Sequence, residues 1–375
     1  MDPVTHFLTG ACIGRAGWNR KTAYATLVAT LAAEAPDIDV LWGLRGPVSG
    51  LAHHRGITHT LIAAPVMAAI TTGIVWLWNR WRRRRRSGPA LQTVRWGWVW
   101  LTALAADLSH LLLDWTNNYG LRLFFPFDRH WYAGSLVFIV EPALLLMLGL
   151  ALLIPALLGL ADQEIGARRK GFRGRGLAIA ALCGMVLLWC WRWAEQADAR
   201  NRLLAADVTP TQPLRVALEP YPWNPFRWHA IIETKTTWQT AEIDTRTGVV
   251  DSNPRTNALF KPPMTPAIAA AKQTQLGRVY LDWSQWPVVR DLGPVKIAGI
   301  DVGGVGGAQL PGGQRWTTVE FSDLRFAYSY TDLRIAGSSE GRLSEQLMES
   351  PLSGWVYVVD GSEPAAMILG GQEQK

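Results

Sequence analysis

Long apolar segments separated by short basic loops constrain the fold of this chain more than any other feature of its sequence. Residues 22–40 are apolar but acidic near their end, and residues 4–16 are short for a full crossing. Four further stretches of roughly 20 mostly apolar residues are each long enough to cross a bilayer as an α-helix; they are residues 57–78, 96–115, 135–160 and 176–193. The pattern predicts an α-helical multi-pass membrane bundle of about five to six spans.

Lysine and arginine are distributed unevenly between the loops that join these segments. The loops at residues 15–21, 80–95 and 161–175 hold fifteen of them, whereas the loops at 41–56 and 116–134 hold four. Loops rich in Lys and Arg stay in the cytoplasm, so the three basic loops are predicted to be cytoplasmic and the chain after the last span to lie outside. An arginine run can also indicate nucleic-acid binding, but a short loop between two spans argues against a nucleic-acid partner.

The composition changes near residue 195. Residues 1–195 carry 20 Lys and Arg against 11 Asp and Glu, and residues 196–375 carry 17 against 19, so the net charge of +7 belongs to the first part. The second part shows the alternation of apolar and polar residues that is typical of β-strands. We predict a membrane helical domain over 1–195 and a small, mostly-β, extracytoplasmic domain over 196–375. A lid, a substrate-recruiting module and a partner contact are open as roles for the second domain.

Ionisable side chains collect at one end of five of the predicted segments. The run "DLSHLLLDW" spaces Asp107, His110 and Asp114 at i, i+3 and i+7, which places them on one face of a helix. Under the predicted orientation, the histidines and carboxylates of the other segments lie at a similar depth near the outer face. The residues predicted for the site are His6, Asp37, Asp39, His54, Arg55, His59, Asp107, His110, Asp114 and Glu141. Residues expected in loops or around the site are Glu34, His53, Asp128 and His130.

A bound cation explains best why these side chains share one depth in a membrane. Ionisable groups inside a bilayer are costly and usually face a bundle interior or a wet cavity. A cation neutralises carboxylates that would otherwise repel one another, and it keeps imidazoles neutral. The alternative is a purely structural polar core in which Arg55 pairs with a carboxylate. One arginine cannot satisfy all five carboxylates among the predicted site residues.

Imidazole and carboxylate ligands favour zinc, manganese, iron or cobalt over a metal that prefers thiolates. The predicted ligands of this divalent ion, whose identity and number stay open, are His6, Asp37, His54, His59, Asp107, His110 and Glu141. Such an ion lowers the pKa of water and polarises a phosphoryl or carbonyl oxygen, which predicts hydrolysis. Asp39 or Asp114 could act as the general base, and Arg55 could hold a phosphate or the developing negative charge.

Four motifs occur in order along the first half of the chain. They are "MDPVTHFLTGACIG", "APDIDVLW", "HHRGITHT" and "HLLLDWTNNYGLRLFFPFDRHWY". In this order they resemble the YdjM-type membrane-bound metal-dependent hydrolases, a family also described as LexA-regulated. The positions that match its pattern are Thr5-His6, Pro36 to Asp39, His54 to His59, His110 with Asp114, Tyr119-Gly120 and Pro126-Phe127.

The resemblance covers about residues 1–195 and has two mild departures. Glu141 stands where an Asp before Pro is expected, and Thr60 stands where a Ser is usual. Both changes keep the expected chemistry available. The resemblance implies a multi-pass inner-membrane protein with a metal-dependent hydrolase site, and it implies no particular substrate.

The predicted function is metal-dependent hydrolysis at a site near the outer face of the bacterial inner membrane. A site recessed in a bilayer favours an amphiphilic substrate such as a phospholipid or an isoprenoid phosphate ester, so membrane lipid is the expected partner. The alternative is a non-enzymatic metal-binding scaffold or sensor of the envelope. A channel is disfavoured because the inner halves of the spans at 57–78, 96–115 and 135–160 are nearly all apolar.

Overall fold

The computed structural model describes most of the chain, namely residues 1–85, 93–164, 174–206, 208, 212–253, 257–295, 315–328, 352–359, 363–369 and 372–374. Parts of two predicted basic loops, residues 86–92 and 165–173, lie outside the described residues. The chain forms two compact units. The first unit is Met1–Asp39 with Arg55–Glu195, and the second is Val40–His54 with Gln196–Lys375.

The first unit is helical, as its apolar segments predict. Its α-helices in the described residues are α1 (Pro3–Arg15), α2 (Ala25–Glu34), α4 (Ala63–Arg85), α5 (Trp96–Thr116), α6 (Pro142–Glu164) and the greater part of α7 (Arg175–Ala205), while α3 (Pro47–His53) belongs to the second unit. Asp2 caps α1, because its side chain accepts the Thr5 N–H at 3.0 Å. Two 3-10 segments, Ala35–Arg45 and Ile57–His59, carry site residues between the helices.

Two helices are long and apolar enough to cross a membrane, α6 over Pro142–Leu160 and α7 over Arg175–Ala205. A third crossing counts if the bent pair Pro47–His59 and Ala63–Arg85 is one span. The helices α1 and α2 have 13 and 10 residues. At about 1.5 Å per residue, each is shorter than the roughly 30 Å hydrocarbon core. The structure therefore supports two to three spans, and about five to six spans stays a prediction.

Glycines on α1 let this helix lie directly against α2. A Cβ added at Gly10 would lie 2.5 Å from the Ala29 carbonyl oxygen, and one at Gly14 would lie 2.4 Å from the Thr26 Cα. Small residues allow such close approach of two backbones. Alanines of α2 pack in turn against alanines of α5. This packing holds α1 and the end of α2 beside the polar face of α5.

The second unit is mostly β in its described residues, as the alternating pattern predicts. One sheet has the order β1-β2-β3-β4 with β5 also paired to β3, and the other has the order β10-β9-β8-β7-β6. The strands are β1 (Arg215–Pro220), β2 (Arg227–Glu233), β3 (Thr237–Asp244), β4 (Val250–Asp251), β5 (Ala258–Phe260), β6 (Pro287–Asp291), β7 (Trp316–Asp323), β8 (Gly354–Val359), β9 (Glu363–Leu369) and β10 (Gln372–Gln374). Helices α8 (Pro266–Gln273) and α9 (Gln275–Trp283) lie between β5 and β6 in the chain, and α3 contacts α9.

A neutral histidine is buried in this second unit. His229 on β2 is 2% exposed, and its Nε2–H donates to the Leu324 carbonyl oxygen at 3.1 Å. Burial lowers the pKa of His229 to about 4, and the hydrogen bond to Leu324 opposes this shift only in part. The imidazole is therefore uncharged in the folded protein at neutral pH.

We expect the protein to lose stability in mild acid because His229 binds a proton more readily in the unfolded chain. An unfolded histidine has a pKa of about 6.5. The stabilisation is complete above that value and is lost as the pH falls toward the folded pKa of about 4. The loss between pH 7 and pH 5 corresponds to about 2 kcal/mol. Thermal unfolding of the full chain at both pH values measures it. His229→Gln keeps a hydrogen-bond donor and should flatten the dependence, whereas an unchanged slope would assign the effect to another group.

Candidate metal centre

Helix α5 carries the three ionisable side chains that its spacing places on one face. Asp107, His110 and Asp114 are all fully buried. His110 Nδ1 lies 2.7 Å from the carbonyl oxygen of Ala33 near the end of α2. Since a carbonyl oxygen only accepts, Nδ1–H is the donor, and a neutral His110 ring keeps the lone pair of Nε2 for a ligand.

Four donor atoms from three parts of the chain meet in what we call the four-donor cluster, formed by Asp37, His59, His110 and Asp114. One ligand atom from each lies within 4.8 Å of the other three. His59 Nε2 lies 3.1 Å from His110 Nε2 and 3.2 Å from Asp37 Oδ1. Asp114 Oδ2 lies 3.4 Å from both of these Nε2 atoms. His110 Nε2 lies 3.7 Å from Asp37 Oδ1.

These separations fit a metal ion with short bonds to nitrogen and oxygen. Ligands about 2.0–2.1 Å from a tetrahedral zinc ion lie about 3.3 Å from one another. The five measured separations range from 3.1 to 3.7 Å and lie on both sides of this value. Two imidazole nitrogens with two carboxylate oxygens also suit manganese, iron and cobalt. The donor set of the cluster is therefore compatible with a divalent transition metal.

His59 is oriented by a carboxylate that lies outside the four-donor cluster. Its Nδ1 lies 3.2 Å from Asp39 Oδ2 and 3.1 Å from Thr58 Oγ1, and Thr58 Oγ1 donates to the same Asp39 oxygen at 3.2 Å. A carboxylate on the far ring nitrogen fixes the ring of a metal-binding histidine and makes its other nitrogen a better ligand. Asp39 is therefore placed to position His59, and its role as general base stays a prediction.

Arg55 links Asp39, which lies outside the four-donor cluster, to Asp114, which belongs to it. Its backbone N–H donates to Asp39 Oδ2 at 2.8 Å, and its Nη2 donates to Asp114 Oδ1 at 2.7 Å. The residue is 3% exposed and adopts the left-handed region, with φ at +52°. The guanidinium therefore holds a protein carboxylate, and binding of a substrate phosphate by Arg55 stays a prediction.

Three further partners of Arg55 were not among the predicted site residues. Its Nη1 donates to Asn117 Oδ1 at 3.2 Å and to the Gly120 carbonyl oxygen at 3.1 Å. The guanidinium also stacks over the Tyr119 ring, with Cζ 4.8 Å from the centroid. Tyr119 and Gly120 match the pattern of the family that the motifs resemble, so that pattern could have indicated them as site residues. Asn117 lies two residues before Tyr119, directly after the last residue of α5.

Two other predicted ligands lie near the four-donor cluster without belonging to it. His6 on α1 is fully buried, its Nε2 lies 3.3 Å from Asp114 Oδ1, and its ring stacks on His110 with centroids 3.8 Å apart. Asp107 lies three residues before His110, and neither carboxylate oxygen has a hydrogen-bond partner among the described residues. His6 and Asp107 as direct ligands stay predictions.

Glu141 and His54 also lie outside the four-donor cluster. Glu141 is half-buried just before α6, where its Oε1 accepts the Ala143 N–H at 3.5 Å. His54 follows the last residue of α3 in the second unit and is half-buried. Both stay predicted ligands.

Solvent reaches the four-donor cluster through Asp37. The side chain of Asp37 is 21% exposed, whereas the other three members of the cluster are fully buried. Apolar side chains adjoin these residues in the sequence, and Ile38, Ile57 and Leu61 are all exposed. The accessible carboxylate of Asp37 therefore lies on a stretch of chain that also carries exposed apolar side chains.

Comparison with known proteins relates the helical part of the chain to one family. Residues 1–199 match the family model described as YdjM inner membrane protein, which confirms the resemblance drawn from the four motifs. The Bacillus subtilis uncharacterized protein YfhP is 29% identical over 150 residues, which are 38% of this chain and 42% of YfhP. The chain thus spans about two fifths of the length of this curated relative. No solved structure matches the chain.

Proposed function

We propose that this chain, which belongs to the YdjM family of inner membrane proteins, is a metal-dependent hydrolase. The four-donor cluster carries the proposal, because its atoms lie within 4.8 Å of one another and five of their six separations are close to those between ligands of a tetrahedral metal. Its four residues would hold the ion, and zinc, manganese, iron and cobalt are the candidates. Such an ion supplies Lewis acidity, which polarises a phosphoryl or carbonyl oxygen and makes water a stronger nucleophile.

The surrounding residues position this cluster. Asp39 holds the His59 ring through Nδ1, the Ala33 carbonyl oxygen holds the His110 ring, and Arg55 fixes one oxygen of Asp114. Ligands held in this way need less reorganisation when an ion binds, and such partners strengthen metal affinity. Asp39 and Asp114 were predicted as general base. Asp114 would hold the ion, so Asp39, which lies outside the four-donor cluster, is the proposed general base.

We propose a lipid or phosphate ester as the substrate. The exposed Ile38, Ile57 and Leu61 lie within two residues of cluster members in the sequence and support an amphiphile. Its polar group would reach the accessible carboxylate of Asp37, and its chains would stay with exposed apolar residues.

The proposed orientation places the cluster near the outer face of the membrane and residues 196–375 outside the cytoplasm. The support is the distribution of Lys and Arg, fifteen against four between alternate loops. The two 3-10 segments that carry Asp37 and His59 lie on the arginine-poor side of the predicted spans.

A non-enzymatic metal-binding scaffold or sensor is the second candidate. One observation favours it: the cluster already offers four donors, three of them fully buried. Structural metal sites are usually closed by four protein ligands, whereas catalytic sites keep one position for water or substrate. In a catalytic site, one of the two carboxylates would have to leave its place on the ion to water or substrate. Asp37 is the more accessible of the two.

Turnover distinguishes the two candidates. We expect the full chain in phospholipid vesicles, or in vesicles that contain an isoprenoid phosphate, to release phosphate or a hydrolysed lipid. A chelator should lower this release at least about 100-fold, and added zinc or manganese should restore it. Asp37→Asn should abolish release, and Asp128→Asn, which changes a half-buried loop carboxylate outside the four-donor cluster, should not. Stoichiometric metal without release from any of these lipids would favour the scaffold.

A further inference from the structure

The end of α4 carries a repeated pairing of aromatic and basic side chains, which we call the tryptophan–arginine ladder. It consists of three pairs four residues apart, Trp76 with Arg80, Trp78 with Arg82 and Trp81 with Arg85. The guanidinium carbons lie 5.6, 5.5 and 4.5 Å from the centroids of their rings. Side chains at i and i+4 are neighbours on a helix surface, so the helix itself aligns these cation–π contacts.

No carboxylate of the described residues forms an ion pair with the arginines of the ladder. Helix α4 contains no Asp or Glu, and none of its five arginines forms an ion pair with a described residue. One of the two arginines outside the ladder, Arg83, donates from Nε to the neutral Asn79 Oδ1 at 3.3 Å. The helix dipole favours cations at this end, but it offsets only about half an elementary charge.

The ladder lies where an apolar helix ends. Helix α4 is part of the bent candidate span. The exposed residues Ile70 and Ile74 precede the ladder, and the exposed Leu77 lies between Trp76 and Trp78. The three ladder tryptophans are exposed as well. Exposed tryptophans at the end of an apolar helix settle at the level of lipid headgroups. The stacked guanidinium groups then reach the same level as the lipid phosphates.

We propose that the tryptophan–arginine ladder is a binding surface for anionic phospholipid headgroups. A guanidinium fork binds phosphate oxygens bidentately and remains charged at any physiological pH, and basic clusters next to a membrane helix attract anionic lipid. Nucleic acid also offers phosphates, but the exposed tryptophans and the apolar helix before them favour a membrane. This surface is independent of the four-donor cluster and of the proposed hydrolysis.

Lipid retention by the full chain tests the surface. The protein is taken from bilayers of equimolar phosphatidylglycerol and phosphatidylcholine, and the lipids that it retains are counted by native mass spectrometry. The wild type should retain more phosphatidylglycerol than phosphatidylcholine. In the R80Q/R82Q/R85Q variant, the ratio of these two retained lipids should fall at least about tenfold. R80K/R82K/R85K preserves the charge but not the guanidinium fork, so it should keep part of the preference that the glutamine variant loses.

A matched control removes the same charge elsewhere. The R200Q/R246Q/R278Q variant changes three exposed arginines of the second unit, and it should retain the wild-type preference. An undiminished preference in R80Q/R82Q/R85Q, an equal loss in the control or the lysine variant, or displacement of phosphatidylglycerol by an oligonucleotide would each overturn the proposal.

Discussion

Replacing His59 by alanine should weaken metal binding by at least about 100-fold. His59 Nε2 is the central donor of the four-donor cluster, since it lies within 3.4 Å of a ligand atom of Asp37, His110 and Asp114. Alanine removes that donor and leaves three ligands, the carboxylates of Asp37 and Asp114 and the imidazole of His110. Loss of a partner that only orients a ligand typically costs 10- to 100-fold in affinity, so loss of the ligand itself should cost more. Elemental analysis of the purified protein and competition with a calibrated chelator measure the effect.

His53 provides the matched control for this change. It lies six residues before His59, is exposed, and stacks on Trp42 with ring centroids 3.9 Å apart. His53→Ala removes one imidazole from the same sequence motif and should leave metal content and affinity at the wild-type level. Equal metal affinity of His59→Ala and the wild type would show that the four-donor cluster does not hold the ion.

Replacing Arg55 by alanine should destabilise the metal-free protein by about 3–5 kcal/mol, a range typical for removing one partner of a buried ion pair. The guanidinium donates to Asp114, Asn117 and the Gly120 carbonyl oxygen. Without it, these acceptors stay buried with fewer donors, and unsatisfied buried groups are costly. We expect a melting temperature lower by roughly 10 °C in the presence of a chelator.

Lysine at the same position separates charge from geometry. Arg55→Lys keeps the charge but offers one ammonium group in place of a planar fork, so it should recover only part of the lost stability. The control is Arg45→Ala, because Arg45 is exposed and contacts the face of the Trp42 ring; a change of at most about 0.5 kcal/mol is expected there. Equal stability of Arg55→Ala and the wild type would contradict the linking role of Arg55.

Local sequence patterns predict much of the architecture. The apolar runs predict helices, the alternation after residue 195 predicts strands, and both are present in the described residues. The i, i+3, i+7 spacing of α5 predicts a shared face, and all three side chains are buried together. The number of spans is less accessible to such reasoning. Helices as short as α1 and α2 are defined by packing against their neighbours, which hydropathy does not record.

The sequence by itself determined the family and the helical and β-rich halves, and it predicted ten site residues, since these depend on local periodicity and motif order. Only the tertiary structure decided which of the ten meet. The four donors come from three separate segments, and distances between segments depend on helix packing rather than on spacing along the chain. The same holds for the supporting contacts: the Ala33 carbonyl oxygen sets the His110 ring, and Asp39 sets the His59 ring. Arg55 was expected to bind substrate, and in the structure its guanidinium donates to Asp114 on α5. The loop after α5 places three more partners around the same guanidinium.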